Sequence, residues 1–566
     1  MLKLTIAQLN LTVGDIEGNV ARMIAAAGEA QRCGAHIVVF PELSLTGYYP
    51  GDLLEDAAFL QRAERGLQAL RAASAAAPDL YWVTGAPCAR RGPGKPLYNA
   101  LRVLCAGEVV LDYAKQLLPT YDVFDERRHF EPGPDEARVL RIAGCKVAFL
   151  ICEDGWNDAG QDYAVNPFRR LREVGPDLLL TINASPSNRG KQAQRLHIFS
   201  AASRRHGLPL LYVNHVGGHD QIVYDGASFA VEPDAGPVFE AARYAEQVTT
   251  IGFKDGRFCA ADGGALPAPP AADLPAPAFY RAQICLGLAD YARRCGFTQA
   301  LVGASGGIDS ALTLALAVEA LGADKVAAVT MPSSVSSAGS VDDSAALCRN
   351  LGIPLARHPI AGLVERYAEQ FEASFGRPLQ GLALENLQAR VRGTVLMEYS
   401  NSFGHLLLTT GNKSEISVGY CTLYGDTNGG LGLIGDLYKT EVYELARHLN
   451  AESGRELIPQ AILDKAPSAE LAPGQQDSDS LPPYPVLDEI LKVLIEGDRL
   501  AAPERERALQ CVAALQADAA GSALVERIRA MVARAEYKRR QAPPVIRVRA
   551  RAFGSGRQMP IAARYL

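Results

Sequence analysis

"LVGASGGIDSALTLALAVEA" (residues 301–320) passes from a short apolar stretch, through two adjacent glycines and small polar residues, into a helix-forming segment. Ala300, Leu301 and Val302 read as the end of a strand, and Ala311 to Ala320 as a helix that stops at Gly322. A loop that opens a helix after a strand aims its free N–H groups at an anion. Gly306 and Gly307 let the backbone come close to phosphate oxygens, and Ser305 and Ser310 add hydroxyl donors. The Gly-Lys-Ser/Thr ending of common nucleoside-triphosphatase loops is missing, because Ile308, Asp309 and Ser310 follow the glycines. An aspartate beside phosphate repels it unless a cation such as magnesium lies between them, so Asp309 points to a metal. Taken alone, the same residues also spell a ligand-free strand-to-helix turn.

Further strands surround this one. "KVAAVTMPS" and "HLLLTTGN" read as buried strands, each near a helix, as in an open parallel sheet. Upstream, "LKLTIAQLN", "HIVVFPE", "YWVTGAP", "VAFLICEDG", "DLLLTINAS" and "PLLYVNHVG" alternate with helical stretches such as residues 55 to 75, which predicts a second α/β domain. Between the halves, "DGGALPAPPAADLPAPA" (262–278) crowds prolines and alanines without hydrophobic periodicity and reads as a semi-rigid linker. The expected domains are residues 1–258 and 279–566, joined by 259–278. Residues 472–485, "APGQQDSDSLPPYP", are polar and proline-rich and read as a mobile surface loop or plain connection.

The composition excludes several classes. A chain of 566 residues exceeds one ordinary core, and 48% hydrophobic with 21% charged residues is ordinary for a soluble globular protein. A net charge of −6 gives no general attraction for nucleic acid. "MLKLTIAQLN" lacks the apolar core of a signal peptide, and "ALTLALAVEALG" is interrupted by Glu319, so neither export nor a membrane span is expected. Eleven cysteines without a Cys-x-x-Cys pair fit a reducing, cytoplasmic setting, mostly as small buried hydrophobes.

Three apolar runs in the first half end on reactive residues: Glu42 in "VVFPELSLTGYYP", Lys115 in "DYAKQLLPTYDVFDERRHF" and Cys152 in "VAFLICEDGW". A cysteine attacks as its thiolate and needs a base or a positive charge nearby. Glu42 can take the proton, and Lys115 can stabilise the thiolate and a tetrahedral oxyanion. Each residue singly also fits a structural cysteine or a solvated surface charge.

Together these segments resemble the nitrilase, or carbon–nitrogen hydrolase, superfamily over roughly residues 1 to 255. The resemblance implies a four-layer αββα sandwich and a Glu42, Lys115, Cys152 triad. "FPELSLTGYYPGDLL" and "KQLLPTYDVFDERRHFEPG" look like the glutaminase branch fused to synthetases, in which Cys152 attacks the side-chain amide of L-glutamine, releases ammonia and leaves a thioester for water activated by Glu42. By the same resemblance, Tyr121, Ser185 and Lys191 hold glutamine, and Glu126 is an additional acid near the cysteine.

The loop "SGGIDS" resembles the pyrophosphate loop of ATP pyrophosphatases, which implies a doubly wound, Rossmann-like parallel sheet. "ENLQARVRGTVLMEYSN" (385–401), "LLTTGNKSEISVGYCTLYGDTNGGLGLIGDLYKTEVYELARHLN" (407–450), "APSAEL" (466–471) and "LPPYPVLDEIL" (481–491) resemble glutamine-dependent NAD synthetases. The implied chemistry is adenylation of the nicotinate carboxylate of deamido-NAD by ATP, then displacement of AMP by ammonia. It requires Mg2+, because a carboxylate must approach a polyanion. Carried over by motif, Gly303, Ala304, Ser305, Gly306, Gly307, Ile308, Asp309, Ser310 and Thr410 touch ATP. Asn386, Glu415 and Lys538 touch deamido-NAD, and Asp309 and Glu415 hold magnesium. Lys413 and Lys439 read as phosphate partners or as solvated amines. The basic tail "EYKRRQAPPVIRVRARAFGSGRQMP" suits a dinucleotide diphosphate or a neighbouring subunit better than nucleic acid, since aromatic interleaving is missing. The resemblance implies a homo-oligomer, up to an octamer for the fused type. Two rival readings are amidation of a different carboxylate and a catalytically dead nucleotide sensor; intact motifs speak against the second.

Overall fold

The computed structural model describes residues 1–563. They divide into two compact units, one holding Met1–His219 and Val223–Leu274, the other Asp220–Ile222 and the chain from Pro275 onward.

The strands up to residue 260 are β1 (Leu2–Gln8), β2 (Ile37–Val39), β3 (Tyr81–Ala89), β4 (Leu97–Cys105), β5 (Glu108–Ala114), β6 (Val139–Ile142), β7 (Cys145–Ile151), β8 (Leu178–Asn183), β9 (Leu210–Asn214), the hairpin β10 (Val216–His219) and β11 (Ile222–Asp225), β12 (Phe229–Glu232), β13 (Gly236–Glu240), β14 (Gln247–Lys254) and β15 (Arg257–Ala260). Seven form a sheet in the order β15-β14-β1-β2-β3-β4-β5, and six form a second in the order β13-β12-β9-β8-β7-β6. Strands β7 and β8 run parallel, with Val147 opposite Leu178, and their near-continuous apolar sequence suits a strand buried on both faces. Leu4, Ile6, Val39 and Val83 of one sheet share a continuous buried core with Val147, Phe149, Leu180 and Tyr212 of the other. Helices α1 (Ile16–Arg32) and α2 (Ala57–Ser74) cover the first sheet. Helix α4 (Lys191–His206) covers the second, with α3 (Pro167–Val174) stacked beside it through Phe168 and His206. This is the four-layer αββα sandwich. Helix α1 shows why the chain folds so: Asp15 caps its N-terminus by accepting the Gly18 N–H at 3.0 Å, and Ile16, Val20, Met23, Ala27 and Ala30 recur at helical spacing on the buried side.

In the second unit, α5 (Ala276–Arg294) precedes the parallel strands β16 (Ala300–Gly303), β17 (Val326–Thr330), β18 (Leu355–Arg357), β19 (Leu406–Thr409) and β20 (Leu431–Gly432), ordered β18-β17-β16-β19-β20. Between and after them come α6 (Ile308–Leu321), α7 (Ala338–Leu351), α8 (Ala361–Phe375), α9 (Leu382–Phe403), α10 (Lys413–Val418) and α11 (Lys439–Ser453). Helices α5, α6, α7 and α11 pack on one face, while α8 and α9 supply Val364, Val391 and Leu396 to the other, against Leu301, Ala327, Val329 and Leu407. The winding therefore reverses between β16 and β19, and a doubly wound sheet opens its crevice at the carboxyl ends of such strands. The chain continues through α12 (Gln460–Asp464), α13 (Tyr484–Ile495), α14 (Ala502–Leu515), α15 (Ala519–Arg534) and α16 (Glu536–Arg539). Apolar residues of α13 and α15, among them Leu487, Ile490, Leu491, Val525 and Ile528, form a core with Val418 of α10.

Strand β15 and helix α5 both reach into the stretch 259–278 read as linker, so its ends are ordered in the two units. Among the described residues no helix is long and apolar enough to cross a membrane.

Candidate active sites

In the first unit Glu42, Lys115 and Cys152 lie just past the carboxyl ends of β2, β5 and β7. Ile151, the last residue of β7, pairs with Ile182 of β8, and the next β8 residue, Asn183, accepts the Glu42 N–H at 3.4 Å. That draws the ends of the two sheets together. The Lys115 ammonium donates to Glu42 Oε1 at 2.7 Å and to Glu126 Oε1 at 2.6 Å, with all three side chains fully buried. Asn99, within β4, donates to both carboxylates at 2.7 and 3.3 Å, Tyr48 donates to Glu126 at 2.6 Å, and the Ala184 N–H donates to Glu42 Oε2 at 3.1 Å.

Burial pushes the Glu42 carboxyl up to about 7, with the Lys115 ammonium pulling it down and the Glu126 charge pushing it up. Burial would depress the Lys115 ammonium, but the charges of Glu126 and Glu42 hold it well above the usual range. The Cys152 thiol is held up by burial and by the Glu42 charge; Lys115 and the Ala184 N–H oppose them. Cys152 itself sits at φ 43°, which only a tightly held non-glycine residue keeps. A thiol facing both a cation and a carboxylate of raised pKa has its proton acceptor and its charge partner in place.

The three expected glutamine contacts differ in setting. Tyr121 is half exposed and donates to Glu153 at 3.1 Å. Ser185 is buried, and its hydroxyl accepts from Arg195 Nε at 3.1 Å. Lys191 opens α4 with its ammonium 3.9 Å above the Trp156 ring. Two groups beside these contacts escaped the sequence reading. Glu153, buried next to Cys152, accepts from Tyr121 and from Tyr163 at 2.9 Å, and burial raises its pKa. Arg195, fully buried, pairs with Asp225 at 2.8 Å and holds the Ser185 carbonyl at 2.7 Å. Glu153 stands beside the nucleophile and so had a positional signal; Arg195 has none, because its partner lies far away in sequence.

In the second unit a cavity of about 430 Å³ opens at the carboxyl ends of β16, β17 and β19. Gly303, Ala304, Ser305, Gly307, Ile308, Asp309, Ser310, Thr410, Asn386, Glu415, Lys439 and Lys538 line it. Gly306 does not line it. Its φ is 77°, and a Cβ there would lie 2.4 Å from the Ser340 carbonyl oxygen, so only glycine lets the loop turn. The Ser305 and Ser310 hydroxyls meet at 3.0 Å, and Gly307 donates to Ser305 Oγ at 3.2 Å.

Lys439 bridges two carboxylates, Asp309 at 2.5 Å and Glu415 at 3.0 Å. Asn412 caps α10 by accepting the Glu415 N–H at 3.0 Å and donates to Asp309 at 2.9 Å, which ties the glycine loop to α10. Burial lifts the Glu415 carboxyl to about 7; Lys439 opposes, and the charges of Asp309 and Asp477 add to it. Asp477 lies in the stretch read as a mobile surface loop, yet it is buried, lines the cavity and accepts from Tyr484 at 2.8 Å. Asp309 and Glu415 share one ammonium, and the charge of Asp477 adds to them; hard oxygens with negative charge in excess suit a magnesium ion. Arg392, also in the lining, donates to the Met331 carbonyl at 3.2 Å.

Other basic residues turn inward. Lys413 does not line the cavity; it is fully buried, bonded to Asp436 at 2.8 Å and to the Arg551 carbonyl at 2.7 Å. Lys538 gives its ammonium to the carbonyls of Gly419 and Cys421, at 2.8 and 2.6 Å, and Asn386 accepts from Thr422 at 2.7 Å. In the tail, Arg549 pairs with Glu441, Glu496 and Glu504, and Arg539 and Arg557 pair with Glu536, all buried. These arginines neutralise internal carboxylates.

A carbon–nitrogen hydrolase family model matches residues 3–254, and an NAD synthase family model matches residues 280–542. The chain is 41% identical to a glutamine-dependent NAD(+) synthetase of Synechocystis sp., covering 99% of both chains. It is 41% identical to one of Rhodobacter capsulatus, covering 100% of this chain and 98% of that one. A solved glutamine-dependent NAD+ synthetase from Acinetobacter baumannii, in complex with adenosine diphosphate, is 35% identical with a TM-score of 0.76, covering 99% of this chain and 98% of that one. A Cytophaga hutchinsonii enzyme of the same name shares the fold at a TM-score of 0.80 and 22% identity, with coverage of 99% and 98%. The chain belongs to the family of glutamine-dependent NAD(+) synthetases.

Proposed function

We propose that this chain converts deamido-NAD to NAD with ATP, drawing ammonia from L-glutamine. The observation that carries the proposal is the presence in one chain of a buried cysteine–lysine–glutamate cluster and a glycine-loop cavity lined by carboxylates.

In the first site Glu42 takes the thiol proton as Cys152 Sγ bonds to the amide carbon of glutamine. Lys115 stabilises the oxyanion. The proton passes to the departing nitrogen, the C–N bond breaks, and ammonia leaves a glutamyl thioester. Glu42 then removes a proton from water, which attacks the thioester carbonyl and frees the thiol and glutamate. Glu126 keeps Lys115 in place, and Glu153 with Ser185 and Tyr121 supplies polar partners for the amino-acid head group.

In the second site the loop from Gly303 to Ser310 cradles ATP phosphates with backbone N–H groups. Asp309 and Glu415, with the charge of Asp477 nearby, would hold magnesium. Bound magnesium supplies charge neutralisation between the phosphates and the arriving carboxylate. Lys439, salt-bridged to Asp309 and Glu415, would be free to meet phosphate with those carboxylates engaged by the cation. Asn386 and Lys538, which line the cavity, contact deamido-NAD. The nicotinate carboxylate attacks the α-phosphorus and expels pyrophosphate, then ammonia attacks the mixed anhydride and AMP leaves. All eleven cysteines are free, which fits a reducing cytoplasm.

The test is NAD formation from deamido-NAD, ATP, magnesium and glutamine, with AMP, pyrophosphate and glutamate measured in parallel. One AMP and one pyrophosphate per NAD are expected. No NAD with either glutamine or ammonium salt overturns the proposal.

A further inference from the structure

Asp154 lies two residues after Cys152, is fully buried, and has no part in the chemistry above. Its Oδ1 accepts the backbone N–H groups of Gln116 and Leu117 at 3.0 and 2.8 Å. Its Oδ2 accepts the Tyr113 hydroxyl at 2.8 Å and the Ile151 N–H at 3.2 Å. Three of these donors bracket Lys115, and the fourth immediately precedes Cys152. The first group leaves β5 of the seven-stranded sheet, and the second leaves β7 of the six-stranded sheet. A backbone ladder cannot join two turns that belong to different sheets. One carboxylate joins them instead, through charge-assisted hydrogen bonds that are shorter and stronger than neutral ones.

We propose that Asp154 is a positioning residue of the glutaminase reaction, clamping the turn that carries Lys115 to the turn that carries Cys152 so that the ammonium faces the sulfur. The proposal rests on the assignment of Cys152 as nucleophile. An aspartate is required because all four partners donate. An asparagine offers one accepting atom and one donating group, so two of the four donors would meet an N–H. The clamp also explains how Cys152 keeps a positive φ at the head of its turn, since the Ile151 N–H just before it is fixed. Asp154 acts through the spacing of two other side chains, and a shift of about 1 Å between reacting groups costs on the order of 100-fold in rate.

The test uses full-length Asp154→Asn and Tyr113→Phe variants. Three quantities are read: kcat and KM for glutamine hydrolysis, NAD synthesis from ammonium salt, and the pH dependence of Cys152 alkylation by iodoacetamide, followed on the Cys152 peptide by mass spectrometry. The charges facing the thiol are Glu42, Lys115 and Glu153. Of these Lys115 alone favours the thiolate, so loosening it moves the alkylation midpoint to higher pH; Asp154→Asn also deletes a buried negative charge two residues from the sulfur, which acts in the opposite sense, so the midpoint is read on Tyr113→Phe, which keeps that charge. For Asp154→Asn the expected result is a kcat lower by on the order of 100-fold, KM within about threefold and preserved ammonium-dependent synthesis. Tyr113→Phe leaves three donors and the carboxylate charge in place, so it should lower kcat less and raise the alkylation midpoint; it also serves if the asparagine variant does not fold. A kcat for Asp154→Asn within threefold of the parent, or a loss of activity in Tyr113→Phe with an unmoved alkylation midpoint, overturns the proposal. Cys152→Ala is run alongside: retained glutamine hydrolysis there removes the nucleophile assignment and the positioning role with it, whereas its loss together with a normal Asp154→Asn removes only the latter.

Discussion

The Lys115 ammonium lies 2.7 Å from Glu42 with neither side chain exposed, and it is shared with Glu126. Two carboxylates on one ammonium leave a negative charge in excess inside the protein, and with burial this keeps Glu42 near 7. Only the ionised carboxylate can accept the thiol proton. Hydrolysis of glutamine should therefore rise with pH through about 7, a midpoint that belongs to the coupled cluster as a whole. Glu126→Gln removes a charge that raises the Glu42 pKa, so the midpoint should move down. Profiles of kcat/KM against pH for parent and variant check this; a midpoint that stays or climbs takes Glu126 out of the field felt by Glu42.

Cys152→Ala should separate the two halves of the reaction. It removes the sulfur nucleophile and leaves the glycine loop, Asp309 and Glu415 untouched. Loss of a nucleophile lowers the rate by several orders of magnitude, so NAD formation from glutamine should almost vanish. With ammonium salt at a pH that supplies free ammonia, synthesis should stay close to the parent rate. A purely structural cysteine predicts something else, a parallel loss with both donors and a lower melting temperature.

Asp309→Asn keeps the shape of the residue after the glycines but removes its charge. Asparagine can still accept from Asn412 or Lys439, so the fold should hold, while magnesium-ATP binds less well. Synthesis should fall with either nitrogen donor, and raising magnesium should restore part of it. Titrating magnesium at fixed ATP checks the assignment, and a variant curve that overlays the parent rules it out.

What the sequence made legible follows from where chemistry meets strand ends. Glu42, Lys115 and Cys152 each close an apolar run, and a period-2 or continuous apolar pattern marks the position of a strand end from residue order alone. The glycine loop was legible for the same reason. Asn99 was not, because it sits inside β4, where its neighbours give no sign that one polar side chain serves two carboxylates. Residues 472–485 have the composition of a surface loop, and composition cannot tell that Asp477 turns into the cavity. The tail misleads by charge: its arginines look like ligands for phosphate, while their partners Glu441, Glu496 and Glu504 lie within or at the ends of earlier helices and become neighbours only on folding.

Gly306→Ala tests the turn of the loop itself. The position combines a φ of 77° with a Cβ that would fall 2.4 Å from a backbone oxygen, so strain and overlap add. A left-handed residue alone costs about 1–3 kcal/mol, and the backbone must also shift. Loss of ATP-dependent synthesis with both donors and a lower melting temperature for the second unit are expected. Gly307→Ala is the control: its φ is −99° and the nearest obstacle to a Cβ is Ser305 Oγ at 3.4 Å, so its stability should be nearly that of the parent. Equal melting temperatures for Gly306→Ala and Gly307→Ala would refute the geometric argument.

Lys413→Met asks whether the lysine of "NKSE" handles phosphate or holds α10. Its ammonium is fully buried between Asp436 and Glu496, at 2.8 and 3.3 Å, and it also reaches the Arg551 carbonyl of the tail. Asp436 in turn accepts the N–H groups of Val548 and Arg549 at 2.8 Å each, so the same carboxylate anchors the tail and the first residue of the helix that carries Glu415. Removing one member of a buried ionic cluster leaves its partner charged and unpaired, at about 3–5 kcal/mol. A phosphate ligand predicts the opposite balance, weaker binding of ATP with stability unchanged. Thermal unfolding and the KM for ATP, measured on the same preparation, separate the two. A melting temperature several degrees lower with KM for ATP nearly constant in the folded fraction supports the anchoring role, and a large rise in KM at constant melting temperature would assign Lys413 to the nucleotide instead.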